Sequence, residues 1–339
     1  MGKKIIVTGG TGYIGSHTTV ALLNAGFDVV ILDNLSNSTL SSIDGIAKIT
    51  GTRPDFIKVD CADVLALKAA FSLHSDAVGV IHFAALKAVG ESVEKPLLYY
   101  RNNLNSLINI LDMMREFNIG NIVFSSSATV YGIPDKLPVT EDTPLQPATS
   151  PYGQTKVMGE NIIRDTVSAY PTIHATLLRY FNPIGAHPSG LIGELPKGVP
   201  NNLMPYITQT VAGIRPFLNI FGDDYDTPDG YCVRDYIDVN DLASAHVAAM
   251  RHMMDCSDGI SVFNLGTGYG VSVMDLVKNF EMATGLKVPY KIAPRRAGDV
   301  PSIWADTSLA ERILGWRAET SLLDTLASAW RWQENLKND

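Results

Sequence analysis

The chain has little cysteine, no long apolar run and no surplus of positive charge. Its 339 residues include 3 cysteines, Cys61, Cys232 and Cys256, which are widely separated and odd in number. This pattern indicates neither a disulfide framework nor a zinc site, and we expect no metal. No apolar stretch reaches the roughly 18 residues of a membrane span. The basic start at Met1–Lys4 is followed by too short an apolar run for a signal peptide. We therefore expect a cytoplasmic protein with no membrane partner.

The charge balance is acidic, with a formal net charge of −8 and a sequence pI of about 5.4. This balance argues against a nucleic-acid partner, and an anionic ligand would need a local group of arginines. The composition, 46% hydrophobic and 18% charged, is that of an ordinary globular protein. The length is enough for two domains, or for one domain with a substantial lobe.

The chain contains 28 glycines, and one cluster of them follows an apolar run directly. Ile5 to Thr8 predicts a strand, the glycines predict a tight turn, and the next residues have a helical pattern. The spacing fits both Gly-x-Gly-x-x-Gly and Thr-Gly-x-x-Gly-x-x-Gly, with Gly12 and Gly15 common to both. Such a turn lets backbone approach a pyrophosphate, which then binds at the start of the helix.

A second predicted strand, Val29 to Leu32, is followed by Asp33, which lies 18 residues after Gly15. A carboxylate at this position can accept hydrogen bonds from the adenosine ribose and would repel a 2′-phosphate. The sequence therefore favours NAD over NADP.

Strand and helix patterns alternate through the first half, which predicts an α/β protein with a doubly wound parallel sheet of the Rossmann type. Ligands of such sheets bind at the carboxyl ends of the strands. The candidate strands are Lys4–Thr8, Asp28–Leu32, Asp55–Val59, Val78–Phe83, Asn121–Ser125 and His174–Arg179.

After Phe181 the chain becomes rich in proline, glycine and asparagine, with one helix predicted near Leu203–Gly213. Another buried strand is predicted at Ser261–Gly266. We therefore expect a Rossmann domain over residues 1–181, completed by about 236–268. Residues 182–235 and 269–339 then form a smaller mixed α/β substrate lobe.

Two long helices are predicted, at about Pro96–Asn118 and at Tyr152–Ala169. Their apolar faces suit either a dimer interface or packing against the sheet, and the pattern does not distinguish these alternatives.

Tyr152 and Lys156 stand four apart near the start of the second long helix, so they share a helix face. A nearby ammonium favours the phenolate, and we expect it to lower the pKa of Tyr152 from about 10 toward neutrality. Such a tyrosine can act as a general base on a sugar hydroxyl. The alternative is a packed tyrosine beside a solvated lysine.

Three serines, Ser125 to Ser127, end an apolar strand. Hydroxyls are expensive inside a sheet but useful at its carboxyl edge, where Ser127 can hydrogen-bond a reacting oxygen. The alternative is that these serines cap a turn.

These features together resemble the extended short-chain dehydrogenase/reductase family, which has a Rossmann domain and a carboxyl-terminal substrate lobe. Five further segments are similar to the UDP-glucose 4-epimerase family, and the resemblance covers nearly the whole chain. They are His82–Ser92, Leu178–Gly190, Pro200–Tyr206, Val233–Ile237 and Ala293–Asp299.

The resemblance implies reversible C4 epimerisation of UDP-galactose and UDP-glucose, with NAD held throughout and a 4-keto sugar intermediate. Tyr152 would take the proton of the 4-hydroxyl, Ser127 would assist that oxygen, and Lys156 would hold the cofactor ribose. A homodimer is also implied. The implied cofactor residues are Gly9, Gly12, Tyr13, Ile14, Gly15, Asp33, Asn34, Asn37, Asp60, Cys61, Phe83, Ala84, Lys87, Asn102, Tyr152, Lys156 and Tyr180. The implied substrate residues are Ser127, Tyr152, Asn182, Asn202, Leu203, Phe221, Arg234, Tyr236, Arg296, Asp299 and Ile303.

Several residues depart from the family pattern and bear on substrate positioning. Ser106 replaces a common glycine, Tyr231 and Cys232 replace threonine and often glycine, and Asp238 replaces the usual histidine. Ile303 takes a position that is a bulky tyrosine where N-acetylated sugars are excluded. Because isoleucine is intermediate in size, we expect weak activity on UDP-N-acetylhexosamines.

Two other functions are weighed against the epimerase. A nucleotide-sugar 4,6-dehydratase needs an Asp-Glu pair where this chain has Ala128 and Thr129, and a redox-sensing regulator typically lacks the Tyr/Lys dyad. His82 and His187 are expected to be a core histidine and a loop contact. Arg295 and Arg296 suit either a diphosphate site or a solvated pair.

Overall fold

The computed structural model describes residues 2–256, 259–296 and 299–336. The strands are β1 (Lys4–Thr8), β2 (Asp28–Asp33), β3 (Asp55–Lys58), β4 (Gly79–His82), β5 (Asn121–Ser127), β6 (His174–Tyr180), β7 (Asn182–Ile184), β8 (Leu218–Phe221), β9 (Val233–Arg234), β10 (Tyr236–Asp238), β11 (Ile260–Leu265), β12 (Val271–Ser272), β13 (Tyr290–Ala293) and β14 (Ser302–Ile303). The helices are α1 (Tyr13–Asn24), α2 (Ser41–Thr50), α3 (Val64–Leu73), α4 (Val89–Glu94), α5 (Pro96–Glu116), α6 (Pro151–Ala169), α7 (Leu203–Val211), α8 (Val239–Asp255), α9 (Val273–Thr284), α10 (Ser308–Leu314) and α11 (Leu322–Asn335). A short 3₁₀ helix spans Ala128–Tyr131.

The central sheet has seven parallel strands in the order β11-β6-β5-β4-β1-β2-β3. The order reverses between β1 and β4, and in a doubly wound sheet ligands bind in the crevice at such a point. Successive strand residues point to opposite faces. Accordingly, Ile5 and Val7 pack with α1 and α8, whereas Ile6 packs with α3 and α5.

The expected strands are confirmed to within a residue or two, including the late one, since β11 pairs with β6 at the sheet edge. Strand β5 continues through all three serines instead of ending at Ser125. Helix α5 ends at Glu116, two residues before the expected Asn118, because Asn118 adopts a φ of 56° that a right-handed helix cannot contain.

The remaining strands form small sheets, with β10 beside β7, β13 beside β8, and β9 between β12 and β14. A separate apolar core that includes Leu218, Leu276 and Phe280 lies beneath them. The expected site residues in this part of the chain stand on loops, on short strands and at the start of α7. Across the three described ranges, no helix has the length and apolar character needed to cross a membrane.

Candidate active site

The three serines that end β5 have different partners. Ser126 donates to Glu160 Oε1 at 2.6 Å. Ser125 hydrogen-bonds Tyr180 through its side chain and accepts Lys156 Nζ on its carbonyl oxygen at 2.5 Å. Ser127 begins the 3₁₀ helix, where its hydroxyl accepts the Thr129 N–H at 3.2 Å. The turn-cap alternative therefore holds for Ser127, which nevertheless also contacts Tyr152.

Tyr152 and Lys156 lie on one face of α6, with Lys156 Nζ 5.7 Å from the centre of the tyrosine ring. Ser150 caps this helix by accepting the Gly153 N–H at 3.1 Å, and Pro151 occupies its first turn. Ser150 is a preferred N-cap residue, and together these residues fix where the Tyr/Lys face begins.

The expected fall in the pKa of Tyr152 is wrong for this structure. Burial raises the pKa of the phenol to about 12, although a hydrogen bond from Ser127 opposes this rise. Burial also lowers the pKa of Lys156 to about 8. The physical reason is burial, because the loss of water around both groups disfavours their charged forms. The ammonium donates a hydrogen bond to the Ser125 carbonyl.

A buried ionic network lies directly behind this dyad. Arg179 on β6 donates to both carboxylate oxygens of Glu160, at 2.9 and 2.7 Å, and both side chains are at most 3% exposed. Arg179 also donates to the hydroxyl of Tyr131, which in turn donates to Asn264 Oδ1 at 2.6 Å. The network thus joins β5, β6, α6 and the 3₁₀ helix beneath the catalytic candidates.

The glycine turn fits a dinucleotide. Gly9 has a φ of +69°, and a Cβ on it would lie 2.9 Å from the Ala84 nitrogen. A Cβ on Gly15 would lie 2.3 Å from the Gly9 oxygen, so a side chain there would push α1 away from the turn. Gly12 is the N-cap of α1 and makes no side-chain cap bond. The first turn of the helix is therefore exposed to an anion through its backbone N–H groups.

Asp33 is the last residue of β2 and is 8% exposed. Its carboxylate accepts the N–H groups of Thr11 and Leu35 and the hydroxyl of Ser38. Asp33 therefore ties the glycine turn to the loop after β2 and places a negative charge where an adenosine ribose is expected.

The other expected cofactor residues follow neighbouring strands along the same sheet edge. Asn34 follows β2 and donates to Asp60, which precedes Cys61 after β3, while Phe83 and Ala84 follow β4. Asn37 lies in the loop that Asn34 begins, Tyr13 and Ile14 open α1, Asn102 lies on α5 and Tyr180 ends β6. The structure thus gathers these residues at the edge where the sequence placed them.

Tyr180 is part of a buried chain of hydrogen bonds whose direction is fixed. His246 Nδ1 contacts the Leu242 carbonyl oxygen at 2.8 Å, so Nδ1 carries a proton and donates it. Burial lowers the pKa of His246 to about 4, and the neutral ring then accepts the Tyr180 hydroxyl on Nε2 at 2.5 Å. Tyr180 is consequently a structural tyrosine whose proton is already committed.

Four of the residues expected to bind UDP form one cluster, and the others lie apart from it. Asp299 Oδ1 lies 2.8 Å from Arg296 Nη2 and 4.0 Å from Arg234 Nη2. The Arg296 guanidinium stands 5.6 Å from the centre of the Phe221 ring. This group presents two arginines beside an exposed aromatic ring, which suits a nucleoside diphosphate.

The remaining expected substrate residues are placed differently. Tyr236 belongs to the apolar core of the lobe, whereas Ile303 belongs to another buried cluster that includes Phe181 and Ala128, the residue after Ser127. Asn182 begins β7, and Asn202 and Leu203 begin α7. Ala297 and Gly298, from the segment similar to the epimerase family, lie outside the described residues.

Both histidine expectations are confirmed. His82 is a core residue whose Nδ1 lies 2.8 Å from the Thr8 hydroxyl, and burial lowers its pKa to about 3. His187 contacts Ser189 within its loop. Arg295 pairs with Asp224 and stacks on Tyr225, so it is a partnered surface residue.

Two of the departures have structural partners. The Ser106 hydroxyl donates to the Asn103 carbonyl at 3.2 Å and lies 3.4 Å from that of Ala84, which ties α5 to the loop after β4. Asp238 is the N-cap of α8 and accepts the Asn240 N–H at 2.7 Å. The other two lie in the lobe, where Tyr231 packs against the apolar core that contains Leu276 and Phe280, and Cys232 is buried.

The sequence interpretation missed several residues that hold the site together. Asn103 accepts the Leu86 N–H and donates to Leu86 O and Thr155, whereas the sequence predicts a role only for the neighbouring Asn102. Asp235 accepts the N–H groups of Thr267, Gly268 and Ala305. Polar residues within strongly apolar helices and strands were the available signal.

Comparison with known proteins gives consistent matches over nearly the full length. Residues 6–329 match the family model described as GDP-mannose 4,6 dehydratase. A UDP-glucose 4-epimerase of Bacillus subtilis is 51% identical and covers 98% of each chain.

Solved structures agree with these matches. The UDP-glucose 4-epimerase of Bifidobacterium longum, in complex with NAD+ and UDP, is 48% identical over 99% of each chain, with a TM-score of 0.96. The UDP-Glc/GlcNAc 4-epimerase of Campylobacter jejuni is 36% identical over 98% of this chain and 100% of that chain, with a TM-score of 0.84.

Proposed function

Because the chain belongs to the UDP-glucose 4-epimerases within the extended short-chain dehydrogenase/reductase family, we infer that it is an enzyme that interconverts UDP-galactose and UDP-glucose with bound NAD. The observation that carries this inference is the Tyr152/Lys156 face of α6, which lies beside Ser127 at the edge of a dinucleotide-binding sheet. Bound NAD would supply a reversible hydride acceptor for C4 of the sugar, and the glycine turn and Asp33 would hold it.

The chain's own residues have three roles in this proposal. Tyr152 takes the proton of the 4-hydroxyl and later returns it to the same oxygen, so the tyrosine ends each turnover in its starting state. Ser127 donates to the reacting oxygen. Lys156 holds its ammonium 5.7 Å from the centre of the Tyr152 ring, where it would attract the phenolate that forms when Tyr152 gives up its proton.

The residues expected at the two ligands fit their chemistry. For NAD, the glycine turn and Asp33 hold the pyrophosphate and ribose. For UDP, Arg234 and Arg296 bind the diphosphate and Phe221 stacks on the uracil. We propose that residues 1–181 with about 236–268 form the NAD domain, and that 182–235 and 269–339 form the substrate lobe.

The matching family model carries the description of a dehydratase, GDP-mannose 4,6 dehydratase. The residues after Ser127 argue against a dehydratase reaction in this chain. Removal of water across C5 and C6 needs an acid and a base after the catalytic serine. This chain has Ala128 and Thr129 at those positions, and neither side chain titrates in the required range. The epimerase therefore remains the better supported function.

The proposal is tested by incubating the purified protein with UDP-galactose and no added cofactor, while UDP-glucose is detected through a coupled UDP-glucose dehydrogenase. We expect product, because NAD stays bound through purification. The Tyr152→Phe variant should lose about 10²- to 10⁴-fold in kcat while still containing NAD. A Tyr152→Phe variant that keeps an active wild type's turnover would contradict the role of Tyr152. A wild type that contains NAD but forms no product would favour the redox-sensing alternative.

We propose weak activity on UDP-N-acetylhexosamines as well. Ile303 is 7% exposed and packs beside Ala128, so its size limits the space near the catalytic serine. The Ile303→Tyr variant should lower the ratio of UDP-N-acetylglucosamine to UDP-galactose turnover. An unchanged ratio would contradict this role.

We propose that the protein is a homodimer. Helices α5 and α6 bury one face against the sheet, yet Leu97, Leu98, Ile108 and Met158 are 72%, 46%, 42% and 37% exposed. Exposed apolar side chains on adjacent helices suit an isologous interface. Sedimentation that detects only monomer at micromolar concentration would contradict it.

We also propose a cytoplasmic location, which is supported by the free state of Cys61, Cys232 and Cys256.

A further inference from the structure

One carboxylate oxygen contacts both halves of the site, the cofactor half formed by the proposed NAD residues and the substrate half formed by the proposed UDP-sugar residues. Glu194 Oε1 accepts Lys87 Nζ at 2.9 Å and Asn202 Nδ2 at 2.6 Å. Lys87 stands in the loop after β4, among the proposed cofactor residues, and Asn202 stands at the start of α7, among the proposed substrate residues. A shift of either donor therefore acts on the same acceptor.

The position of Glu194 is fixed by its neighbours. Its backbone oxygen accepts Trp332 Nε1 from α11 at 3.1 Å. A Cβ on Gly193 would lie 2.4 to 2.7 Å from three atoms of the Trp332 ring, so only glycine allows this close approach. The Glu194 side chain is 11% exposed. The Glu194 carboxylate is thus held in place, and both Lys87 and Asn202 donate hydrogen bonds to it.

The Asn202 side chain does not cap helix α7, because it hydrogen-bonds Glu194 instead. It occupies the N-cap position of α7, where asparagine is strongly preferred because its side chain can accept an N–H of the first turn. No such cap bond is made by the Asn202 side chain, and its amide donates to Glu194 instead. The conformation of the segment before α7 is therefore tied to Glu194.

The first turn of α1, which also belongs to the cofactor half, lies close to Lys87 as well. Lys87 Nζ stands 5.9 Å from the centre of the Tyr13 ring, and the Tyr13 hydroxyl donates to the Gly185 carbonyl at 2.7 Å. The first turn of α1 and the loop after β4 thus both reach the segment that carries Glu194.

We propose that Glu194 is a positioning residue that couples UDP binding to retention of the dinucleotide. The inference rests on the proposed function, which assigns Lys87 to the cofactor and Asn202 to the substrate. When UDP binds and orders Asn202, Glu194 and Lys87 become ordered as well. The protein then loses less conformational entropy when it holds the dinucleotide. Linkage requires the effect to be reciprocal.

The test measures release of NAD from the holoenzyme, with and without UDP. Released NAD is reduced by alcohol dehydrogenase and ethanol and followed at about 340 nm. We expect UDP to slow release from the wild type by about tenfold. In Glu194→Gln, which keeps the side-chain shape, the factor should fall below about twofold. Glu194→Asp keeps the charge but shortens the reach, and it should show the same loss.

The matched control is Glu281→Gln. Glu281 also receives one lysine, Lys287 at 2.6 Å, and one N–H, that of Val288 at 3.0 Å, but it lies on α9 with no partner in the site. It should keep the wild-type factor. A wild type insensitive to UDP, or equal factors in the wild type and both Glu194 variants, overturns the coupling.

Failure of the proposed function would be recognised separately. In that case the purified wild type would hold no NAD and would not convert UDP-galactose. Normal conversion and bound NAD without any effect of UDP would reject only the role of Glu194.

Discussion

The cofactor half and the substrate half of the site hold their polar side chains in different ways. In the cofactor half, Glu160 lies in the middle of α6 and Arg179 near the end of β6, and both side chains are at most 3% exposed and have several hydrogen bonds each. In the substrate half, Arg296 is 59% exposed, and within the described part of the chain its side-chain hydrogen bonds go to Asp299.

This difference indicates that each half serves a different requirement. Atoms that exchange a proton and a hydride must be held closely, and a buried network achieves this at the cost of removing charges from water. A diphosphate must enter and leave, and exposed arginines bind it without that cost. Substitutions should therefore affect folding in the first half and substrate affinity in the second.

The largest effect is expected for Glu160→Gln. Loss of the carboxylate leaves the buried Arg179 guanidinium without its ionic partner, which costs about 3 to 5 kcal/mol in the free energy of unfolding. Denaturant unfolding of the holoenzyme measures the change.

Glu281→Gln serves as the control for this prediction, because its partner Lys287 is 88% exposed. Surface ion pairs contribute about 1 kcal/mol at most. Equal losses of unfolding free energy in Glu160→Gln and Glu281→Gln would show that burial does not make the Glu160–Arg179 pair more important for stability than the Glu281–Lys287 pair. That result would contradict the comparison between the two halves.

A smaller effect, on binding alone, is expected for Arg296→Met. A charge-assisted hydrogen bond contributes about 1.5 to 3 kcal/mol, so KM for UDP-galactose should rise by at least about tenfold. Because the diphosphate is bound equally in the ground and transition states, kcat should change by less than about twofold. Steady-state kinetics over a range of UDP-galactose concentrations measures both constants.

Arg317→Met removes another exposed arginine that pairs with a nearby carboxylate, Glu319 at 3.3 Å, and it should leave KM unchanged. A fall in kcat with constant KM in Arg296→Met would place Arg296 with the reacting atoms instead of with the diphosphate.

The fold was largely predictable because its signals are local. Apolar runs, glycine turns and the Tyr/Lys spacing each lie within a few residues, and they located the strands, the glycine cradle and the dyad. The register of Ser127 opposite Tyr180 follows once the strands pair.

The partners of these residues were not predictable, because they are distant in sequence. Glu194 meets Lys87 across 107 residues, and Tyr131 meets Asn264 across 133. No local pattern encodes such pairs. The pKa of Tyr152 was predicted in the wrong direction for the same reason. The spacing gives the lysine, but it gives neither the burial of the ring nor the hydrogen bond that the ammonium donates to the Ser125 carbonyl.

The smallest effect is expected from pH, and it acts through Lys156. Burial lowers its pKa to about 8, whereas a lysine in the unfolded chain titrates near about 10.4. If catalysis needs the ammonium, kcat/KM should fall as the pH rises, with a midpoint near 8. Stability should change in the opposite direction, because between these two pKa values the unfolded chain binds more protons than the folded one. The contribution of Lys156 to the free energy of unfolding therefore rises across this window and is constant below and above it.

Both trends are checked against Lys156→Met, which lacks the titrating group. The difference in unfolding free energy between the wild type and this variant should shift in favour of the wild type as the pH rises from about 8 to about 10. The alkaline limb should also move to lower pH in Glu160→Gln, because the Glu160 carboxylate raises the pKa of Lys156 and so opposes the effect of burial. A limb that stays fixed in Glu160→Gln would show that the alkaline loss of activity belongs to another group, and the buried network would then hold the dyad in place without tuning its charge.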